Sequence, residues 1–148
     1  MLSKKSKYAI NALVYLARMQ QKGVNKVQIQ EIANHQSLPK KFLESILLDL
    51  KNLGILGSKM GRGGGYYLNR LPEDVNLAEV HRHFDGAIGM LPCVTYQYYE
   101  KCEECKDEKT CGIRQALLEV RNSTVEILKK NTLQKILEIE DEAIRNQA

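Results

Sequence analysis

The sequence predicts a mainly α-helical fold that carries one small two-stranded hairpin and one long helix towards its C-terminal end. Three observations predict it. Apolar residues recur at three- and four-residue spacing through most of the chain, the period of a helix with one buried face. Four glycines fall in the single turn Met60-Gly61-Arg62-Gly63-Gly64-Gly65, between two short runs of strand-forming residues. Ile113, Leu117, Val120, Thr124 and Ile127 then repeat at spacings of 4, 3, 4 and 3, a seam of just over two heptads.

The elements follow in order. Ser3 caps a first helix running to about Gln20, with Ala9, Leu13, Leu16 and Ala17 on its apolar face, and Gly23 follows where a helix end favours glycine. A short helix over residues 27–34 buries Ile29, Ile32 and Ala33. His35-Gln36-Ser37-Leu38 connects it to a third helix over residues 39–53, whose first turn tolerates Pro39 because the missing N–H has no partner there. Phe42, Leu43, Ile46, Leu47 and Leu50 form its stripe, and Gly54 ends it. Two helices joined by a four-residue connection, with small Ala33 at their approach, form a helix-turn-helix. Strands at 55–59 and 66–69 flank the glycine turn, which places Arg62 at an exposed tip. A hairpin directly after a helix-turn-helix is a wing. Phosphate cradling by these glycines is excluded, since no Gly-Lys-Ser/Thr end and no helix follow them.

Beyond the wing, a short helix over residues 77–84 carries His81 and His83 and starts from Val75 or Asn76. Residues 86–109 read as irregular chain bearing cysteines. The long helix spans residues 111–131 and is too short a seam to stand alone, so it packs on its own domain or, as favoured here, on the same helix of a second subunit. A final helix begins near Thr132, with Leu133, Ile136, Leu137, Ala143 and Ile144 available for burial. The expected organisation is a winged helix-turn-helix DNA-binding domain over residues 1–85, a cysteine-bearing loop over 86–111, and a dimerisation helix with a C-terminal helix over 112–148.

At 148 residues, 43% hydrophobic and 27% charged, the chain has the make-up of one globular domain that needs no disulfide staple. It lacks an apolar run of about 18 residues and a secretory pattern at its start, so the expected location is the cytoplasm and no membrane partner is expected. Its charge is divided. Residues 1–70 hold 12 Lys/Arg against 3 acidic residues, a net +9, whereas residues 71–148 hold 10 against 15, a net −5. The basic half suits a polyanion. In a helix-turn-helix the second helix presents its N-terminal residues to the major groove, here Ser37, Pro39, Lys40, Lys41 and Glu44. Lys40 and Lys41 can reach phosphates or guanine acceptors, and Glu44 can accept from a cytosine amino group. Ser37 has a second reading as a cap, and Glu44 as a carboxylate favoured by the helix dipole. Arg62 suits a minor groove or a phosphate, and Lys4, Lys5 and Lys7 suit nonspecific phosphate contact. The expected partner is double-stranded DNA. His35, His81 and His83 pair with no obvious nucleophile or acid, so an enzyme is not expected.

Cys93, Cys102, Cys105 and Cys111 lie at Cys-x8-Cys-x2-Cys-x5-Cys spacing. In an intracellular protein this cluster suggests metal binding or redox chemistry rather than a disulfide framework. Thiolates suit an iron–sulfur centre or zinc; a thiol switch and four unliganded thiols are the other readings. The surrounding residues 100–109 carry five acidic against three basic groups, which opposes a low thiolate pKa.

Several segments together resemble the Rrf family (Rrf-two) of winged-helix transcriptional regulators, of which IscR and NsrR are members. They are Ser6-Lys7-Tyr8-Ala9 with Ala12-Leu13, Ile29-Gln30-Glu31-Ile32-Ala33, and Leu38-Pro39-Lys40-Lys41-Phe42-Leu43-Glu44-Ser45-Ile46-Leu47. The wing, Gly61-Arg62-Gly63-Gly64-Gly65-Tyr66-Tyr67-Leu68, is the most specific. The resemblance implies homodimers on palindromic operators, paired through the helix near 111–131. It also implies an iron–sulfur cluster, of the two-iron two-sulfur kind, that reports iron, redox or nitric oxide status. The interval Cys105-x5-Cys111 is typical of cluster-binding members, whereas Cys93 lies farther upstream than usual and Cys102 is extra. Arg114 stands where IscR-like members have a ligand histidine, and Lys7 and Asn11 lie where some relatives supply a carboxylate. Zinc, thiol oxidation or a partner protein gating a cluster-free regulator is the alternative.

Overall fold

Ser3 opens the fold as expected. In the computed structural model, which describes residues 2–148, its hydroxyl accepts the Ser6 amide at 3.1 Å and caps α1 (Lys4–Gln21). The elements that follow are α2 (Ile29–Gln36), α3 (Lys40–Asn52), β1 (Leu56–Lys59), β2 (Gly65–Leu68), α4 (Leu77–Asp85), α5 (Gly112–Lys130) and α6 (Leu133–Gln147). Single 3₁₀ turns lie at Pro72–Asp74 and Pro92–Val94. The fold is therefore the mainly helical winged helix expected, with its two strands antiparallel and Leu56 opposite Leu68.

The core forms around α1. Ala9, Ala12, Leu13, Leu16 and Ala17 are buried on one face, as the helical period requires. Against them pack Ile32 and Ala33 of α2, Leu43, Ile46, Leu47 and Leu50 of α3, and Leu133 and Leu137 of α6. Phe42 stays 40% exposed and meets Tyr8 edge-on, with 5.8 Å between ring centroids.

Three local features differ from the expected ones. Val27 does not begin α2. It pairs with Tyr66 instead, giving and receiving backbone hydrogen bonds of 2.9 and 2.8 Å, so a β-branched residue extends the wing sheet and the helix starts at Ile29. Ser37 does not cap α3: it closes α2 in the left-handed conformation at φ 52°, where its amide reaches the Asn34 carbonyl. Pro39 is the N-cap residue of α3, one position before the first turn, with its carbonyl accepting the Phe42 and Leu43 amides.

The long helix α5 is capped by Cys111, whose sulfur accepts the Arg114 amide at 3.4 Å. Arg121 and Val125 face inwards, towards α4 and the 3₁₀ turn at Pro92–Val94. The heptad-like seam faces outwards: Ile113 is 69% exposed, Val120 47% and Ile127 60%. Backbone bonds then fasten the α5–α6 junction to the start of α4, from Leu77 to the Asn131 carbonyl at 3.1 Å and from Leu133 to the Val75 carbonyl at 2.9 Å. From there α6 returns to α1, where Arg18 joins Glu140 at 3.0 Å and Asp141 at 2.7 Å. Leu133 and Leu137 are buried and Ile136 half-buried, whereas Ala143 and Ile144, past the reach of α1, remain exposed.

Asp85, at the end of α4, locks that helix to the start of α1. Its carboxylate accepts the Ser3 amide at 3.1 Å and lies 3.0 Å from His81. Burial raises its pKa, but hydrogen bonds from Ser3 and the neighbouring imidazole outweigh this and hold it below the ordinary carboxylate value. A lowered pKa stabilises the fold above the unfolded value near 3.8, and that contribution is lost as pH falls through the folded value. Asp85→Asn should therefore cost about 1–3 kcal/mol at pH 7 in urea unfolding. The gap to wild type should close as the pH is lowered below 3.8.

Candidate nucleic-acid interface and cysteine cavity

The N-terminal end of α3 carries the residues expected to meet DNA. Ser37, Pro39, Lys40, Lys41 and Glu44 are all exposed there, because the left-handed Ser37 turns the chain outwards before α3 begins. Lys40, Lys41, Lys4, Lys7 and Arg62 are exposed and enter no ion pair among the described residues. Lys5 differs. Its ammonium is 2.9 Å from Asp49 of α3 and 5.4 Å from the centroid of Phe84, so it also joins α1 to α3 and α4.

The wing is held against this helix and against the segment that precedes α2. Gly61 and Gly63 take φ of 87° and 73° on either side of Arg62, a conformation only glycine adopts without strain, and so put Arg62 at the tip. Gly65 has no room for a side chain: a Cβ there would lie 2.7 Å from the Val27 carbonyl oxygen. That close approach lets Val27 and Tyr66 pair. Lys51, in the last turn of α3, donates to Ser58 of β1 at 2.7 Å. Burial, then the charge of Glu44, pushes the Tyr66 hydroxyl pKa up.

The four cysteines form no disulfide and border one cavity of about 350 Å³, together with Glu104, Asp107, Glu108 and Arg114. Cys93 is buried in the Pro92–Val94 turn, Cys105 and Cys111 are half-buried, and Cys102 is exposed. Among the described residues no three His, Cys, Asp or Glu side chains stand close enough to hold a single metal ion. The Cys102 thiol donates to Glu104 at 3.0 Å; that hydrogen bond raises the thiol's pKa and lowers the carboxylate's. The Nε of Arg114, also at this cavity, is sealed from water without a hydrogen-bond partner.

Comparison with known proteins fits this architecture. The profile of the Rrf2 family, described as "Iron-dependent Transcriptional regulator", matches residues 2–139. The chain belongs to the Rrf2 family. It is 41% identical over 138 residues to an rrf2-like HTH-type transcriptional regulator of Rhodobacter capsulatus, covering 93% of this chain and 92% of that one. It is 29% identical to the transcriptional regulator NsrR of Bacillus licheniformis, covering 90% of each. Among solved structures, CymR of B. subtilis superposes with a TM-score of 0.76 at 22% identity, over 94% of this chain and 97% of that one. IscR of T. potens superposes at 0.73 and 24% identity, over 97% and 90%. The protein is thus an Rrf2-family transcriptional regulator of the IscR, NsrR and CymR type. No helix of the described residues is long and apolar enough to cross a membrane.

Two features of the Rrf2 chain lay outside sequence reasoning. The Val27–Tyr66 pairing joins residues 39 apart in the chain, and only the β-branched Val27 hinted at it. The inward position of Arg121 carried no signal, because it adjoins Val120 of the apparent seam. The thiols should differ in reactivity with a disulfide reagent. Cys93 should react slowest, because it is buried, and Glu104→Gln should speed modification of Cys102 by removing the negative charge that favours its protonated form. Mass spectrometry of partly labelled protein measures both.

Proposed function

We propose that this Rrf2-family regulator binds palindromic double-stranded DNA as a homodimer, and that the state of its cysteine cavity sets the affinity. The observation that carries the DNA reading is the ion-pair-free basic set of α3 and the wing: Lys40, Lys41 and Arg62 lie on two elements tied together by Lys51–Ser58. Lys40 and Lys41 meet phosphates or guanine acceptors and Glu44 a cytosine amino group, with Ser37 and Pro39 setting the helix start. Arg62 enters a minor groove or meets a phosphate, and Lys4, Lys5 and Lys7 add phosphate contacts. Residues 1–85 form the reading domain, 86–111 the sensing loop and 112–148 the pairing segment. The exposed Ile113, Val120 and Ile127 of α5 support pairing through that helix, since it presents an apolar stripe left uncovered by the described residues. Small rotations of the pair would change the separation of half-sites about 34 Å apart.

The cavity supports an iron–sulfur reading by the chemistry of its donors. Four thiols border one space, and a buried arginine nitrogen without a partner adjoins it, which suits a thiolate-ligated and hence electron-rich group. Cys93, Cys102, Cys105 and Cys111 would hold it; once bound, the group supplies redox- and nitric-oxide-sensitive chemistry. Arg114 would offset its negative charge, and burial of Cys93 would exclude water from one side. The second reading is a regulator without a cluster, gated by thiol oxidation, zinc or a partner protein. It is favoured by the spread of donors, none grouped in threes around one point.

Changing Lys40 and Lys41 to Ala should weaken binding to duplexes selected from random-sequence DNA by about tenfold or more at 0.1 M salt, and reduce the salt slope by about 1–2. Unchanged affinity would assign the reading surface elsewhere. Anaerobic purification should yield a coloured protein containing iron and sulfide, with the colour lost in Cys105→Ala or Cys111→Ala. A colourless protein free of iron and sulfide, even after reconstitution, would favour the second reading and leave the DNA assignment standing.

A further inference from the structure

We propose that a second cavity, between α4, the segment leading to the cysteines and α5, binds a small oxyanion through Arg121 and Arg82. The observation that carries it is an uncompensated buried charge. Arg121 is 5% exposed, its Nε is sealed from water without a hydrogen-bond partner, and it forms no ion pair among the described residues. Buried guanidinium groups are ordinarily paired, because removing the charge from water costs several kcal/mol that only a counter-charge or full hydrogen bonding offsets. Two part-buried arginines have such partners, whereas Arg114, at the cysteine cavity, shares the lack of a partner at Nε. Arg18 has Glu140 and Asp141, and Arg70 has Glu79 and the Asp74 carbonyl. Arg121 has only the ring of Tyr96, whose centroid lies 3.9 Å from its guanidinium carbon. That stacking holds the guanidinium plane in place and leaves its hydrogen-bonding edge unsatisfied.

The cavity beside it measures about 210 Å³ and is bordered by Arg82, Thr95, Tyr96 and Gln97 as well as Arg121. No Asp or Glu borders it, and Arg82, exposed on α4, forms no ion pair among the described residues. Two arginines and a carboxamide facing one small space make a site for a compact anion. Its size admits a phosphate, a sulfate or a short carboxylate and falls below the 300–1,000 Å³ usual for larger organic ligands. Once bound, the anion would tie α4 and α5 to residues 95–97, just beyond Cys93. The site depends on neither the DNA reading nor a cluster, so its test is separate from theirs.

The same oxyanion chemistry could come from a carboxylate of a second copy, and the test distinguishes the two sources. Full-length protein is titrated with phosphate, sulfate or succinate by calorimetry, at ionic strength matched with chloride, and its self-association is followed by sedimentation. The expected result is saturable binding of one ion per chain. A hundredfold excess over Kd should raise the melting temperature by roughly 5–10 °C. Arg82→Ala, at an exposed site that spares the fold, should weaken binding about tenfold or more, and Arg121→Gln should abolish it. A response that never saturates, or that Arg82→Ala leaves intact, overturns the proposal. Loss of self-association in Arg82→Ala without any anion binding also overturns it and assigns the arginines to a carboxylate of the second copy.

Discussion

Everything in this fold leans on α1, and α1 can bear that load because its buried face is made of small residues. Ala9, Ala12 and Ala17 carry no bulk beyond a methyl group, so α2, α3, α4 and α6 can all approach the same helix. Leu13 and Leu16 fill the space between them. Close packing at these contacts means a larger residue at Ala12 would move several helices at once. The polar links follow the same plan. Ser3 to Asp85, Lys5 to Asp49 and Arg18 to Asp141 each run from α1 to a different helix. The DNA-facing elements and the C-terminal helix are thereby referred to one rigid axis.

The wing illustrates how little freedom remains once α1 is set. Its two strands are four residues each, too short to be stable alone. They gain a third partner from Val27, which approaches so closely that only glycine fits at position 65. The same bond sets where α2 starts. The left-handed turn at Ser37 then sets the direction of α3, so a backbone pairing on one side and a single positive φ on the other determine how the basic helix end and Arg62 are presented.

The acidic half is organised differently. Its cavities carry charge and thiols rather than a dense core, and α5 divides them: Arg121 and Val125 face inwards while Ile113, Val120 and Ile127 face solvent. Placing an arginine rather than an aliphatic residue at the inner contact costs stability, and the stacking on Tyr96 offsets only part of that cost. The four thiols reach their shared cavity because the Pro92–Val94 turn buries Cys93 while Cys111 caps the helix that follows.

Much of this was legible in the sequence. The helical period placed the buried faces of α1 and α3, Ser3 marked the start of α1 by its capping oxygen, and the glycines around Arg62 announced a wing tip, since each signal acts within a few residues. The heptad-like spacing correctly picked out a helix over 113–127, and its apolar seam lies on the outer face. Spacing specifies a period but not which side meets the core. The inward face of α5, the pairing of Val27 with Tyr66, and the gathering of Cys93 with Cys102, Cys105 and Cys111 were decided by contacts between residues distant in the chain. Such contacts form only when α1, α4 and α5 are packed together, so the sequence by itself determined the elements and their chemistry, and tertiary packing decided which of those groups meet.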